Sequence, residues 1–294
     1  MAFESLQEII GKCERHQWSF PEAVIQEDMS DRAVCREDTW NQMCRLWEAM
    51  YEASCNYEPG RKSNSGLVGG AGGRMEQYVK DGHSLCGERT GKVIAKALQM
   101  GESNACMKRI VAAPTAGACG VLPAVLVTLY EEEKISRDTI IEALFVTAGI
   151  GQVIATRASI AGASGGCQAE IGSASAMAAG ALVYVHGGTN EQILTAVAIS
   201  LKNLLGLVCD PVAGLVEVPC VKRNVIGAIN AMAAADMALA GISSAIPADQ
   251  VIDAMKEVGD AMHVSLRETG EGGLAGTKAA REIVAKLRQS ANKQ

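Results

Sequence analysis

At 294 residues the chain is long enough to bury a sizeable core, and with 48% hydrophobic but only 4% aromatic residues, 31 of the total being glycine, that core has to be assembled from small side chains in close contact. A net charge of -6 with no long basic run leaves no electrostatic footprint for a phosphate backbone, which argues against nucleic acid as a partner. The opening MAFESLQEIIGK has no cationic stretch ahead of an apolar one, and the apolar segments 171–185 and 225–242 are too short or carry Asp236, so a cytoplasmic protein without a membrane partner is expected.

The first strong pattern runs from Ser30 to Tyr57, read as one continuous helix capped by Ser30, with Val34, Trp40, Met43, Leu46, Trp47 and Met50 as its apolar stripe. Residues 1–57 are thus expected to form an N-terminal helical segment. Pro59 ends it and opens PGRKSNSGLVGGAGGR, a loop rich in Gly, Ser and Asn that is either mobile or functional. Beyond it, Ala-rich apolar runs alternate with polar or glycine breaks at about 87–100, 121–133, 138–155, 177–186, 191–207, 221–240 and 249–262, each predicted as a helix. Ser136 caps one, Thr189 stands three residues before Gln192 in a capping-box arrangement, and Pro247 suits a first helical turn. Val251, Met255, Val258 and Met262 mark one buried face, and the charged stretch from Thr277 to Gln294 predicts a surface helix with a loose tail. No period-two alternation and no Asn-Gly hairpin turn is visible, so the expected fold is all-α: a compact multi-helix domain of small-residue helices with Gly-rich loops around its site. Without an internal repeat or a linker to divide it, residues 1–294 are expected to form a single domain.

Ten cysteines include no C-x-x-C pair, which fits neither a disulfide framework nor a zinc ribbon; a buried small hydrophobe is the default role for each. Three have distinct settings. Cys167 follows paired glycines in ASGGCQAE, whereas Cys209 in VCDPVAG and Cys220 in VPCVKRN lie beside prolines that end regular structure. Thiols at such turns, exposed to a cavity and close to Lys222 and Arg223, ionise readily, and thiolates bind metal. Three cysteine ligands would leave one iron of a 4Fe-4S cluster open, the arrangement for Lewis-acid work. Gaps of 42 (209 minus 167) and 11 (220 minus 209) match no compact ferredoxin spacing, so the residues alone leave a cluster and three structural cysteines both open.

The strings SNSGLVGG at 63–70, AAPTAGACGVLP at 112–123, ASIAGASGGCQAEIGSASAMAA at 158–179, LKNLLGLVCDPVAGLVEVPCVKRN at 201–224 and LRETGEGGLAGT at 266–277 resemble, in order, the signature segments of the alpha chain of bacterial iron-sulfur L-serine dehydratases. The resemblance implies an oxygen-sensitive lyase that converts L-serine to pyruvate and ammonia. It also implies that Cys167, Cys209 and Cys220 hold a 4Fe-4S cluster whose open iron receives the substrate hydroxyl and carboxylate, and that a separate beta subunit completes the enzyme. Single-chain members of the family place a C-terminal cysteine on the open iron; this sequence ends in SANKQ and has no small regulatory domain, so a two-subunit form without that tail contact is expected. No lysine stands in a Ser-x-Lys loop ahead of a helix, and pyridoxal phosphate is not expected.

Around such a centre, APTAG at 113–117 reads as a turn whose Thr115 hydroxyl and Ala116 and Gly117 backbone suit a carboxylate, although an ordinary turn leading into a helix reads the same way. Ser63, Asn64 and Ser65 are candidates to bind or close over the amino acid, or belong to a flexible linker. Lys222, Arg223 and Asn224 follow a ligand directly and suit contacts to cluster sulfur or substrate carboxylate, solvated surface charge being the alternative. Asp210, Glu170 and Glu268 are acids placed to orient an ammonium group or to cap helices. Of the histidines at 16, 83, 186 and 263 only His83 is near a motif, and the general base stays unassigned. An L-cysteine desulfidase using the same Lewis-acid logic and a non-catalytic iron-sulfur sensor are the rival readings.

Overall fold

The computed structural model describes residues 3–291. Among these residues thirteen helices follow one another: α1 (Leu6–His16), α2 (Phe20–Arg32), α3 (Arg36–Cys55), α4 (Ala71–Lys80), α5 (Gly87–Ala105), α6 (Val121–Glu132), α7 (Arg137–Arg157), the single turn α8 (Gly162–Gly165), α9 (Ser173–Val185), α10 (Asn190–Leu204), α11 (Cys220–Leu239), α12 (Ala248–Ala261) and α13 (Lys278–Ala291). The fold is all-α, as expected. Its one strand-like feature among the described residues is an isolated parallel bridge between Cys209 and Arg267.

The caps form where the side chains allow it. Ser136 accepts the Thr139 N–H at 3.1 Å, and Thr189 and Gln192 exchange the two bonds of a capping box at 3.2 and 2.9 Å. The predicted helices from residue 87 onward are all present, and the C-terminal one is α13; residues 292–294 of its expected tail lie outside the described residues.

Two predictions need correction. The helix expected over 30–57 is two helices: Ser30 lies inside α2, Ala33 turns left-handed at φ 51°, and α3 starts after the extended Cys35. No glycine or proline marks this break. The chain reverses because α2 and α3 both pack on α7, and the reversal is tied by the Thr39 hydroxyl donating to Asp28 at 2.8 Å. Leu46, placed in the buried stripe, is 42% exposed. Second, the residues AGGR at the end of the expected glycine loop are the first turn of α4. A Cβ on Gly72 would stand 2.6 Å from Gln99 Cγ and 2.8 Å from its backbone nitrogen, so this glycine permits contact between α4 and α5 rather than flexibility.

α9 is the centre of the molecule, buried from Ser173 to Leu182 and beyond, with α6, α7, α10 and α11 around it. A helix apolar on every side has to be enclosed in this way. Small residues set the spacing: a Cβ on Gly180 would meet Ile150 at 2.3 Å. A buried polar knot fixes the register, with Ser175 donating to the Gly227 carbonyl at 2.7 Å, Ser200 to Ser175 at 2.8 Å, and Asn230 to Ser175 at 2.9 Å. α7 has the length and apolar composition to cross a membrane, but 61% of its apolar window is buried within the protein, where α1 and α2 cover it with Leu6, Ile9, Phe20 and Val24.

Candidate metal centre

Three separate segments deliver the cysteines. The first leaves α7, makes the turn α8, and reverses at Gly166, where a φ of 73° and a would-be Cβ only 2.9 Å from the Leu207 carbonyl exclude a side chain; Cys167 follows and leads through a π-turn into α9. Cys209 is held in extended backbone, donating its N–H to Leu266 at 2.8 Å and accepting that of Glu268 at 2.7 Å. Cys220, directly after Pro219, is the first residue of α11.

The sulfurs of Cys167 and Cys209 and a carboxylate oxygen of Glu170 lie within 4.8 Å of one another. Cys220 is not part of that group but lies near it: burial first, then the negative charge of Cys167 and of Glu170, pushes its thiol up to about 12. The hydrogen bond from Cys209 is the main influence lowering Cys167, against its burial and with help from Arg223. Donating that proton and being buried raise Cys209. All three side chains are buried, at 2%, 2% and 7% exposure, which corrects the expectation of cysteines open to a cavity. Hollows of about 450 Å³ beside Asn56 and Lys108, and about 250 Å³ beside Ser159 and Met255, hold none of the three, so the centre is recognised by its chemistry and not by open volume.

Of the two expected cations only Arg223 turns inward. One Nη is 3.5 Å from Cys167 Sγ and donates to the Val208 carbonyl at 2.8 Å, and the other is 2.9 Å from Asp210 Oδ1. Asp210 in turn accepts the Leu274 N–H at 2.7 Å, an approach that the missing side chain of Gly273 permits. Lys222 is exposed on the outer face of α11. The carboxyl of Glu170 is raised chiefly by burial, with the charge of Glu268 adding and the 2.8 Å bond from Thr115 Oγ1 opposing.

Asn224 is buried and fully engaged: its Oδ1 accepts Gly120 N–H at 2.8 Å, and its Nδ2 donates to the carbonyls of Gly117 at 2.8 Å and Cys220 at 3.0 Å. It therefore reaches the centre through the 115–120 turn that it holds. Thr115 and Gly117 stand beside Glu170, where a Cβ on Gly117 would lie 3.1 Å from Oε1, while Ala116 between them is exposed and its carbonyl accepts Asn104 at 3.1 Å. Ser63 and Ser65 both donate to Glu217 Oε2, at 2.9 and 2.5 Å, while Asn64 between them is exposed. His83 lies exposed against Tyr78, away from these groups. Glu217 is the member that sequence reasoning missed; an acid three residues ahead of a singled-out cysteine was the available signal.

The pocket fits a sulfur-bound metal group. Its donors are soft thiols with one guanidinium to balance their charge, and space beside them is kept by glycine: a Cβ on Gly162 would lie 2.9 Å from Glu170 Oε2 and 3.1 Å from Cys209 Sγ.

The all-helical scaffold brings Cys167, Cys209 and Glu170 from distant segments into one buried, glycine-walled group that could hold a metal ion, with Cys220 nearby. The profile of the serine dehydratase alpha chain family matches residues 15–275, and the chain belongs to that family. It is 48% identical over 285 residues to the probable L-serine dehydratase alpha chain of Bacillus subtilis, covering 97% of this chain and 95% of that one. To the L-serine dehydratase alpha chain of Peptoniphilus asaccharolyticus it is 44% identical over 278 residues, 94% and 95% of the two chains. The L-serine dehydratase of Helicobacter pylori is 36% identical over 287 residues, which span 94% of this chain but 62% of the relative.

Proposed function

We propose that the chain is the catalytic alpha subunit of an iron-sulfur L-serine dehydratase, converting L-serine to pyruvate and ammonia without pyridoxal phosphate, and that residues 1–294 act as one catalytic domain in the cytoplasm. The observation that carries this reading is the grouping of Cys167 and Cys209 with Glu170 beside Arg223, with Cys220 close enough to feel the charge of Cys167 and Glu170, in a chain whose relatives are named as L-serine dehydratases. That two of these relatives are named as alpha chains supports a separate beta subunit as partner.

Cys167, Cys209 and Cys220 would hold a 4Fe-4S cluster. Bound there, the cluster supplies a Lewis acid for the departing hydroxide and for orienting the amino acid. The chain's own residues do the rest. Arg223 balances the thiolates and is fixed by Asp210 and the Val208 carbonyl. Glu170, oriented by Thr115, presents a carboxylate toward the substrate ammonium group, and the backbone at Ala116 and Gly117, steadied by Asn224, faces the substrate carboxylate. The turn carrying Ser63, Asn64 and Ser65 closes the other side of the site. Burial of the three cysteines and Asp210 keeps water from the thiols and from the Arg223–Asp210 pair, which strengthens the charge interactions there.

Anaerobic purification with and without the beta subunit, iron-sulfur absorbance and a pyruvate assay with L-serine test the proposal. A brown protein that bleaches in air together with its activity is expected, and Cys167→Ala, Cys209→Ala and Cys220→Ala each remove both. Full activity in any of the three variants, or in an iron-free preparation, refutes the assignment. Sulfide release from L-cysteine without turnover of L-serine would instead identify a desulfidase, and a loaded cluster with no turnover of either would identify a sensor.

A further inference from the structure

The glycine-rich loop between α3 and α4 is held by two buried carboxylates from distant parts of the chain. At its base, Glu102 accepts the N–H groups of Ala71 and Gly72 at 2.7 and 3.1 Å and the Tyr57 hydroxyl at 2.6 Å, so both ends of the loop are fastened to α5. At its tip, Glu217 Oε2 accepts both Ser63 and Ser65. Between those serines the chain makes a tight turn, closed by Gly66 N–H to the Ser63 carbonyl at 2.9 Å and supported by Ser63 N–H to Val68 at 3.0 Å and Leu67 N–H to Ser65 Oγ at 3.0 Å.

Glu217 is itself rigidly placed. Its N–H donates to Leu215 at 2.7 Å, and its carbonyl accepts the N–H of Val221, the residue after Cys220, at 3.1 Å. The carboxylate and Ser63 are buried at 7% and 6% exposure, and a buried carboxylate holds its donors firmly because losing them leaves a charge without compensation. Since both hydroxyls point at Glu217, the groups this turn offers to a ligand are others: the exposed Asn64 and the N–H groups of Asn64 and Ser65, which make no hydrogen bond among the described residues. Adjacent free N–H groups in a turn form a concavity suited to a carboxylate.

We infer that Glu217 is a positioning residue: it locks the Ser63–Gly66 turn at a set place relative to Cys220, so that Asn64 and the turn backbone meet the carboxylate of an α-amino-acid substrate. This rests on the dehydratase reading above. The Ser63 and Ser65 hydroxyls, read from sequence as substrate contacts, serve in this account as the fasteners.

The test combines hydrogen–deuterium exchange across residues 63–70 with steady-state kinetics on L-serine, using anaerobically purified, iron-loaded protein with its beta subunit. Glu217→Ala and the double variant Ser63→Ala/Ser65→Ala are expected to raise both loop exchange and KM at least about tenfold, with iron content unchanged and kcat within about twofold. Glu217→Gln keeps an acceptor oxygen and is expected to return KM to within about threefold of wild type. Unchanged loop exchange or unchanged KM in the double serine variant overturns the inference, as does loss of iron and kcat with KM unmoved. If Glu217→Ala does not accumulate, the double variant decides, because it leaves the backbone of the ligand segment intact. A wild-type protein without serine turnover removes the functional reading and with it the substrate role, whereas unchanged exchange in the double variant removes the latch alone.

Discussion

Replacing Arg223 by Met tests whether the guanidinium organises the cysteine pocket. The substitution keeps an apolar stem of similar reach but deletes the charge that stands 3.5 Å from Cys167 Sγ and 2.9 Å from Asp210. Asp210, with only 4% of its side chain exposed, is left with the Leu274 N–H as its remaining hydrogen-bond donor. Breaking a buried pair from one side costs about 3–5 kcal/mol, because the surviving charge stays desolvated without a partner. At about 2–4 °C per kcal/mol, Tm is expected to fall by roughly 6–20 °C. The assay is thermal unfolding of iron-free protein under nitrogen, followed by circular dichroism, for wild type, Arg223→Met and Arg223→Met/Asp210→Asn. Neutralising Asp210 in the double variant removes the stranded charge, so more than half of the lost stability should return. A single variant within about 1 kcal/mol of wild type, or a double variant no more stable than the single one, refutes the reasoning.

Gly162→Ala places a methyl 2.9 Å from Glu170 Oε2 and 3.1 Å from Cys209 Sγ; about 1–3 kcal/mol of overpacking and at least a tenfold drop in iron per chain after anaerobic reconstitution are expected, and full iron content counts against the pocket described here. Asn224→Ala unpairs Gly120 N–H and the Gly117 carbonyl, with an expected loss of roughly 2–5 kcal/mol in urea unfolding and a larger effect on KM than on iron content. Cys119→Ala serves as the contrast: this thiol, pushed up to about 12 by burial and donating to the Met100 carbonyl, is structural, so the variant should keep iron and activity and lose about 1 kcal/mol.

Local signals in the chain carried much of the architecture. Apolar runs at helical spacing and the caps Ser136 and Thr189 placed the helices from residue 87 onward, because capping and amphipathic burial depend on residues a few positions apart. The same local logic failed at Ala33, a good helix former that the packing of α2 and α3 on α7 forces into a left-handed turn. It also failed at Gly72, where composition indicates flexibility and the close approach of α5 requires a glycine in a helix.

For the site, the prolines and glycines beside Cys167, Cys209 and Cys220 distinguished them from the other seven, since such residues mark where backbone leaves regular structure. Which groups answer them was beyond local reach. That Arg223 points inward while Lys222 points out follows from the rotation of α11 against its neighbours, and a step of one residue turns a helix by about 100°.

By itself, then, the amino-acid order determined the helical class, most helix limits and the cysteines worth following, all of which rest on contacts or conformations within a few residues. The tertiary structure alone decided that Thr115 meets Glu170 across 55 positions and that Ser63 meets Glu217 across 154. Such pairings are properties of how helices are stacked, and no spacing along the chain records them.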